Sequence, residues 1–487
     1  MKINRKEFLE LSGLVGIGAT AFRAYEAEAA AGIIKSDVKE LPRILESIQS
    51  SHTQHFNMSG YRAPKINTVR MGIIGVGNRG THHAGTITRV SDVEIKAIAE
   101  VTEDRLVRVK KQLANSGHTP EYYAGSTDEW KKLCQRKDLD LILITTPTYM
   151  HADMAVYAME QGKHVITEVP AAVTVKECWD LVKTSERTKK HCMMMENYSY
   201  MPFQITTLNM AKQGFFGEIV HGDGAYNTSK MGNNFRKSMY WNMWWLRMYG
   251  ARKGNIYPTH GMGPIAQMMN VNRGDQFDFL VSVESKDFMM GRKAKELAMK
   301  DSSFEEFANM EYRGNMSSML IKTKGGRTLN IQHDASSPSP HNLIHGVYGT
   351  KGSVLYDPAP PRICTGNGRW TGKQSYNKLK EQYKPGLLKQ FESFRKGLGA
   401  DIKSGHGGSD IINVWHIIDC LRNGLPLDQD VYDAAAFSSV VQMSEWSVLN
   451  NSNSIKFPDF TAGAWKTNKP NMDINMENGG GTTRVLS

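Results

Sequence analysis

Gly75-Val76-Gly77-Asn78-Arg79-Gly80 is the feature that most narrows what this chain can become. It follows a β-branched run, Val69 to Ile74, and opens a helical pattern. In a G-x-G-x-x-G so placed, the first glycine permits a tight turn and the second lets the backbone approach a pyrophosphate. The third lets the helix pack on the strand, and the helix N-terminus faces the phosphate charge. Glu100 stands 20 residues after Gly80, at the end of a second strand pattern, Val93 to Ala99. An acid there accepts hydrogen bonds from the adenosine ribose and repels a 2′-phosphate, so NAD is expected rather than NADP.

The alternation continues. Leu139 to Thr145 reads as a third strand after the helical Thr127 to Gln135, and His164 to Thr167 as a fourth after the helix Ala152 to Gly162. Strands alternating with helices predict a parallel sheet with right-handed crossovers. Beyond about residue 200 longer strand-like runs follow one another, among them Ile219 to Tyr226, Phe279 to Glu284, Ser317 to Thr323 and Thr328 to His333. Few helices separate them, which predicts a mostly antiparallel sheet. The expected fold is therefore α/β: an N-terminal Rossmann doubly wound parallel sheet over 67–198, then a C-terminal α+β domain with an open sheet over 199–469. The helical Ile411 to Asn423 and Ala434 to Leu449 are placed to pack back on the first domain. The Pro- and Gly-rich 357–378 reads as a surface loop, and the polar tail 470–487 as frayed.

Composition removes several alternatives. The net charge of +11 comes from basic residues dispersed among acids, without the clusters and reader motif that nucleic-acid binding needs. Five cysteines without a CxxC pair suggest neither a metal site nor a disulfide scaffold. No apolar stretch reaches the ~20 residues of a membrane span. Residues 1–31 carry the order of an export signal: Arg5-Lys6-x-Phe8-Leu9, a mild apolar run from Leu11 to Phe22, then an Ala-rich stretch. The basic pair resembles a twin-arginine signal, so a periplasmic or otherwise exported protein is expected, with residues 32–66 as an N-terminal arm. The assembly state is left open, a homo-oligomer included.

Further segments carry a family resemblance. Thr145 to His151 ends a strand, Glu168-Val169-Pro170 ends the next, and Ile417 to Gly424 precedes Asp433-Ala434. With the fingerprint these resemble the glucose–fructose oxidoreductase / inositol dehydrogenase superfamily. Most members carry a catalytic Lys in the Glu-x-Pro motif, where this chain has Val169. Together with Glu196-Asn197, Tyr257-Pro258-Thr259-His260-Gly261 and Gly405-His406-Gly407-Gly408, that departure resembles glycoside hydrolase family 109, NAD-dependent glycosidases whose founding activity is α-N-acetylgalactosaminidase.

The resemblance implies a cofactor site of Gly75, Gly77, Asn78, Arg79, Gly80, Glu100, Thr148, Tyr149, Met150, His151, Glu168, Val169 and Asn197. It implies a glycoside substrate held by Tyr226, Arg247, Tyr257, Pro258, Thr259 and His260. Where the family continues Ser-Pro-Arg-Pro-Tyr and its Tyr reaches the sugar, this chain has Ser337-Pro338-Ser339-Pro340-His341, which puts His341 in that place. The Trp-rich stretch Tyr240 to Leu246 is a second departure in the same half.

Such a glycosidase works by redox-assisted elimination rather than by two flanking carboxylates. C3 of the sugar is oxidised, the C2 proton becomes acidic, the C1 substituent leaves, water adds, and hydride returns. Tyr257 or His260 is the candidate C2 base, with His260 preferred because an ordinary imidazole exchanges protons near neutral pH. Glu168 orients either the nicotinamide or His260. Bland readings stand beside these: His151 as a helix cap, Arg247 as a stacked structural arginine, His333 and His341 as strand and loop residues. A sugar dehydrogenase on the same fold, or a sugar-binding protein with structural NAD, are the competing functions.

Overall fold

A computed structural model describes residues 44–49, 52–357, 360–398 and 408–486. The export reading of residues 1–31 falls outside these residues, as does the first part of the arm, 32–43. The first sheet has six parallel strands in the order β3-β2-β1-β4-β5-β6: β1 (Val69–Ile74), β2 (Val93–Ala99), β3 (Glu121–Tyr123), β4 (Leu141–Ile144), β5 (His164–Thr167) and β6 (Cys192–Met194). The order reverses between β1 and β4, which opens the crevice where such sheets bind ligands. The sequence reading found four of these strands. β3 and β6 are three residues each, too short for any periodicity, and β6 is made of a Cys and two Met that read as core filler.

The second sheet has eight strands in the order β13-β12-β11-β7-β10-β9-β8-β14. Its members are β7 (Ile219–Asn227), β8 (Phe277–Glu284), β9 (Ser317–Thr323), β10 (Thr328–Asp334), β11 (Gly346–Gly349), β12 (Ser353–Leu355), β13 (Arg362–Cys364) and β14 (Ile455–Lys456). All pairings are antiparallel except β7 with β10, which run parallel with Tyr226 opposite His333. Part of the expected 357–378 loop is therefore strand β13, and a helix begins at Lys373.

Six helices position the site: α1 (Asn78–Ile87), α2 (His151–Glu160), α3 (Val175–Thr188), α4 (Thr259–Met268), α5 (Ser409–Asn423) and α6 (Val431–Leu449). α4 lies on β7 so closely that a Cβ on Gly261 would stand 2.9 Å from the Ala225 nitrogen. α5 packs on α1, and α6 runs along α3 and β6, so the chain's end is built into its first domain. Both are buried nearly all round, as helices in a core are.

The tail is not frayed over its described residues. Asp419 of α5 accepts from the backbone nitrogens of Gly481, Thr482 and Thr483 at 2.6, 3.0 and 2.9 Å. Met472, Ile474 and Val485 are buried, and Val485 bridges to Val90. A few apolar anchors on one buried carboxylate hold a segment whose composition reads as loose. No helix among the described residues is long and apolar enough to cross a membrane.

Candidate active site

One cavity of about 390 Å³ runs between the carboxyl ends of β1, β2, β4 and β5 and the inner face of the second sheet. Its first half is the dinucleotide cradle. Gly75, Gly77, Asn78 and Arg79 line it, with Glu100 across the crevice. Gly77 is the N-cap of α1 and makes no side-chain cap bond, so the turn offers backbone N–H groups and the positive end of a helix dipole. Gly80 lies beneath: a Cβ there would stand 2.0 Å from the Gly75 carbonyl oxygen. The Glu100 carboxylate accepts from Val76 N at 2.8 Å and Thr102 N at 3.0 Å. Its oxygens keep lone pairs for a ribose diol. A bare helix N-terminus over a glycine contact, with an acid at the end of β2, fits a dinucleotide.

Four ionisable groups tie this half together. Arg79 Nε donates to Glu168 at 2.8 Å, and its Nη atoms donate to Asp410 of α5 at 3.2 and 3.1 Å. His83 Nε2 lies 2.6 Å from Glu168, and Asn197 donates to Asp410 at 2.7 Å. Burial pushes the Glu168 carboxyl upward, but Arg79 and His83 outweigh it and hold it well below the usual range. Burial and then Arg79 push the His83 imidazole down. Thr148, Met150, Val169 and Asn197 also line the cavity. Gly405 to Gly407 lie outside the described residues.

Three expectations for this half need correction. Tyr149 does not line the cavity; it packs edge-on against Trp244, 6.5 Å between centroids. His151 is buried at the wall with both ring nitrogens turned to backbone carbonyls, 2.8 Å from the Pro170 oxygen and 2.9 Å from the Thr146 oxygen. Glu168 does not reach His260: its carboxylate is engaged by Arg79 and His83.

The second half is an aromatic cage. Tyr226 at the end of β7, Tyr257 before α4, His260 in its first turn and His333 on β10 line it. Tyr226, Tyr257 and Tyr198 have ring centroids 5.0, 4.9 and 4.4 Å from that of His260. Asn255 accepts from Tyr257 N at 3.1 Å and shapes the turn into α4. Pro258 is the N-cap of α4 and Thr259 opens it; both are buried beneath the cavity instead of lining it. His260 Nδ1 lies 2.8 and 3.0 Å from the two oxygens of Glu196, a fully buried carboxylate.

Sequence reading missed two of these groups. The motif Glu196-Asn197 assigns Glu196 no role, and no motif includes Tyr198. Their signal was position: both follow β6 at the carboxyl edge of the sheet.

The remaining substrate-half expectations divide. His341 stands at the rim, its Nε2 3.2 Å from the Tyr198 hydroxyl and its ring 5.5 Å from Tyr226. Arg247 turns away. Its Nη atoms bind both oxygens of Glu306 at 3.0 and 2.6 Å, its Nε donates to the Asn242 oxygen at 3.0 Å, and Phe307 stacks beneath it. From the same stretch Trp244 and Trp245, stacked 4.3 Å apart, face the cavity instead.

Away from the cavity, His416, Cys420 and Asp428 are the one group of metal-ligating types brought together among the described residues. His416 Nδ1 lies 2.6 Å from an Asp428 oxygen that also accepts from Tyr200 at 2.5 Å. This is a buried hydrogen-bond network.

Comparison with known proteins agrees with this layout. Residues 69–196 match the family described as "Oxidoreductase family, NAD-binding Rossmann fold", and residues 200–467 match "Glycosyl hydrolase 109, C-terminal domain". A "Glycosyl hydrolase family 109 protein" of Shewanella pealeana is 40% identical over 481 residues, 96% of this chain and 99% of its own. A second, from Shewanella sp. (strain MR-4), is 40% identical over 483 residues, 96% of this chain and 98% of its own. Among solved structures, an NAD binding oxidoreductase from Klebsiella pneumoniae superposes with TM-score 0.60 at 15% identity, over 81% of this chain and 100% of that one. Levoglucosan dehydrogenase in complex with NADH and levoglucosan gives 0.58 at 16% identity, over 80% of this chain and 100% of that one. Those two share the fold. The near-full-length identity and both domain matches show that this chain, an NAD-dependent enzyme with an NAD-binding Rossmann domain, belongs to glycosyl hydrolase family 109.

Proposed function

We propose that this chain is an exported glycosidase that hydrolyses terminal glycosides of N-acetylgalactosamine or a related hexose without net redox change. The observation that carries the reading is the buried Glu196–His260 pair in the same cavity as the dinucleotide cradle, where the superfamily's Lys is replaced by Val169. NAD, when bound, supplies the hydride acceptor for C3 of the sugar and gives the hydride back at the end of the cycle.

The protein's own residues manage protons. A C3 ketone acidifies the C2–H bond, and a base must take that proton before the C1 substituent leaves. Glu196 accepts from His260 Nδ1–H, which fixes the tautomer and leaves Nε2 as the base. Burial pushes the Tyr257 and Tyr226 phenols well above their ordinary range, so both keep their protons and serve as donors to sugar oxygens. This favours His260 over Tyr257 for the C2 proton. Val169 offers no proton to compete. Export fits the same logic, because a redox-neutral enzyme with retained NAD needs no free cofactor pool.

A panel of nitrophenyl glycosides, with phenol release and NADH absorbance followed together, tests the reading. Phenol release without accumulating NADH is expected, and turnover in heavy water places deuterium at C2 of the product. NADH rising in step with product identifies a dehydrogenase instead. Replacing Arg5 and Lys6 by Gln should hold the protein in the cytoplasm; unchanged export removes that part of the proposal.

A further inference from the structure

We infer that His333 is a substrate-binding residue, whose Nε2 accepts a hydrogen bond from a hydroxyl or amide N–H of the sugar held beside His260. The inference rests on the reading of the cavity as a sugar site.

Register places it there. His333 pairs with Tyr226 across the parallel β10–β7 ladder, and the two rings stack 6.0 Å apart at 21°. Its ring is 6.2 Å from that of Tyr257. The two tyrosines it touches flank His260, and all four side chains line the cavity.

Its hydrogen bonding defines what it can do. Nδ1 lies 2.9 Å from the Tyr226 carbonyl oxygen. A carbonyl has no proton to give, so Nδ1 carries the hydrogen and Nε2 is a bare lone pair. Nε2 is buried and has no partner among the described residues. Burial, and after it the Arg313 cation, holds the ring's pKa down at about 3, so the tautomer persists at working pH. An acceptor locked in this way welcomes a donor and rejects a group that can only accept. Sugar hydroxyls and an acetamido N–H are donors; carboxylates, phosphates and ketone oxygens are not.

One rival explanation lies just before β9. Arg313 Nε and Nη2 also lack a hydrogen bond, although Nε lies 3.8 Å from Glu284, so an internal water joining Arg313 to His333 could satisfy Nε2 without substrate. Arg313 does not line the cavity, and its guanidinium lies over Tyr249. The two cases differ in what a missing substrate hydroxyl does.

The test pairs His333→Asn with monodeoxy analogues. The Asn amide can still donate toward the Tyr226 carbonyl but has no acceptor where Nε2 stood. Nitrophenyl N-acetylgalactosaminide, its monodeoxy analogues and its 2-hydroxy counterpart are compared on wild type and variant. Binding of the corresponding free sugars is read separately from the shift in thermal midpoint. The variant should lose about 10- to 100-fold in affinity for the parent sugar, the consequence of unpairing a buried polar group. The analogue lacking the donor at one position should lose as much on wild type and nothing further on the variant. Co-purified NAD should be unchanged. Equal losses at every position, or none, overturn the inference, as does a wild type that binds none of these sugars. If sugars bind position-specifically but no phenol is released, the glycosidase reading fails while His333 keeps its role.

Discussion

The two halves of the cavity are built in opposite ways. The dinucleotide half uses backbone and balanced charge: a helix N-terminus, a glycine contact, and Arg79 between Glu168 and Asp410. The substrate half uses rings and one hidden acid, with Tyr198, Tyr226, Tyr257 and His333 around His260, and Glu196 behind it. The first half can hold a phosphate-bearing ligand without moving a proton. The second can move a proton but offers little charge. The proposed function, with a cofactor that stays and a sugar that reacts and leaves, calls for this division.

The strongest way to break the comparison is at His260. His260→Ala should lower kcat about 10²–10⁴-fold, the usual contribution of a placed proton-transfer group. NAD content should stay at the wild-type level, because His260 makes no contact with the fingerprint turn or its charge network. Loss of NAD with loss of activity would show that the halves are not separable.

The mirror-image variant is Arg79→Ala. It removes the cation shared by the Glu168 and Asp410 carboxylates, whose side chains are 11% and 0% exposed, and leaves them their histidine and asparagine partners. Breaking a buried pair costs about 3–5 kcal/mol, and the low end is expected because Arg79 is 32% exposed. The thermal midpoint should fall and NAD should be released, with the cage intact. An unchanged midpoint would mean that the network contributes nothing to the cradle.

Acid should act through the buried histidines of both domains. His83, His164 and His191 of the first domain and His333 and His345 of the second are held neutral by burial, His191 and His333 with their pKa down at about 3 and His345 at about 4. In the unfolded chain such groups protonate near 6.5. Unfolding therefore takes up protons below about pH 6.5, and stability falls as pH drops from there. Glu168 has the same sign, but its contribution is lost only below the ordinary carboxylate range. His416 opposes them: Asp428 outweighs burial and raises its pKa, so its contribution is present below 6.5 and lost as pH rises through the folded value. Five such lowered histidines against one predict a lower midpoint at pH 5 than at pH 7. His164 Nδ1 accepts from His191 N at 3.0 Å, so His164→Gln should shallow that dependence by about one proton, or about 1.4 kcal/mol per pH unit. A flat profile in the wild type would contradict these assignments.

The same division explains what the sequence disclosed. The cradle is local: strand, turn and helix lie within 69–87 and Glu100 follows shortly, so spacing alone announces it. Even there the partners that set its charge were hidden, because Asp410 is 331 positions from Arg79. The cage gathers Glu196, Tyr226, His260 and His333 from four separate elements, and no short pattern records that meeting. The family motif supplied Tyr257 and His260, but Glu168 was offered the orienting role that Glu196 holds. The parallel β7–β10 pairing, which sets His333 beside Tyr226, was likewise invisible in runs of alternating residues.

Arg247 gives the smallest effect and the sharpest test of where the substrate half ends. Motif reasoning made it a sugar ligand; the structure makes it a brace. Its guanidinium spans Glu306 and the Asn242 carbonyl, beside two successive left-handed residues, Asn242 at φ 50° and Met243 at φ 48°. Non-glycine residues rarely hold that conformation unless their surroundings impose it. The turn they make presents Trp244 and Trp245 to the cavity. Arg247→Lys keeps the charge but loses the bidentate fork. A brace predicts a stability loss of about 1 kcal/mol, the scale of one net hydrogen bond, and a KM within about threefold of wild type. A ligand predicts the reverse: an unchanged midpoint and a KM raised tenfold or more, since charge-assisted bonds to substrate are worth about 1.5–3 kcal/mol. Glu306→Gln separates the two further. Glu306 touches Arg247 from outside the cavity lining, so it should repeat the lysine variant's loss of stability only if Arg247 works by holding the tryptophan turn.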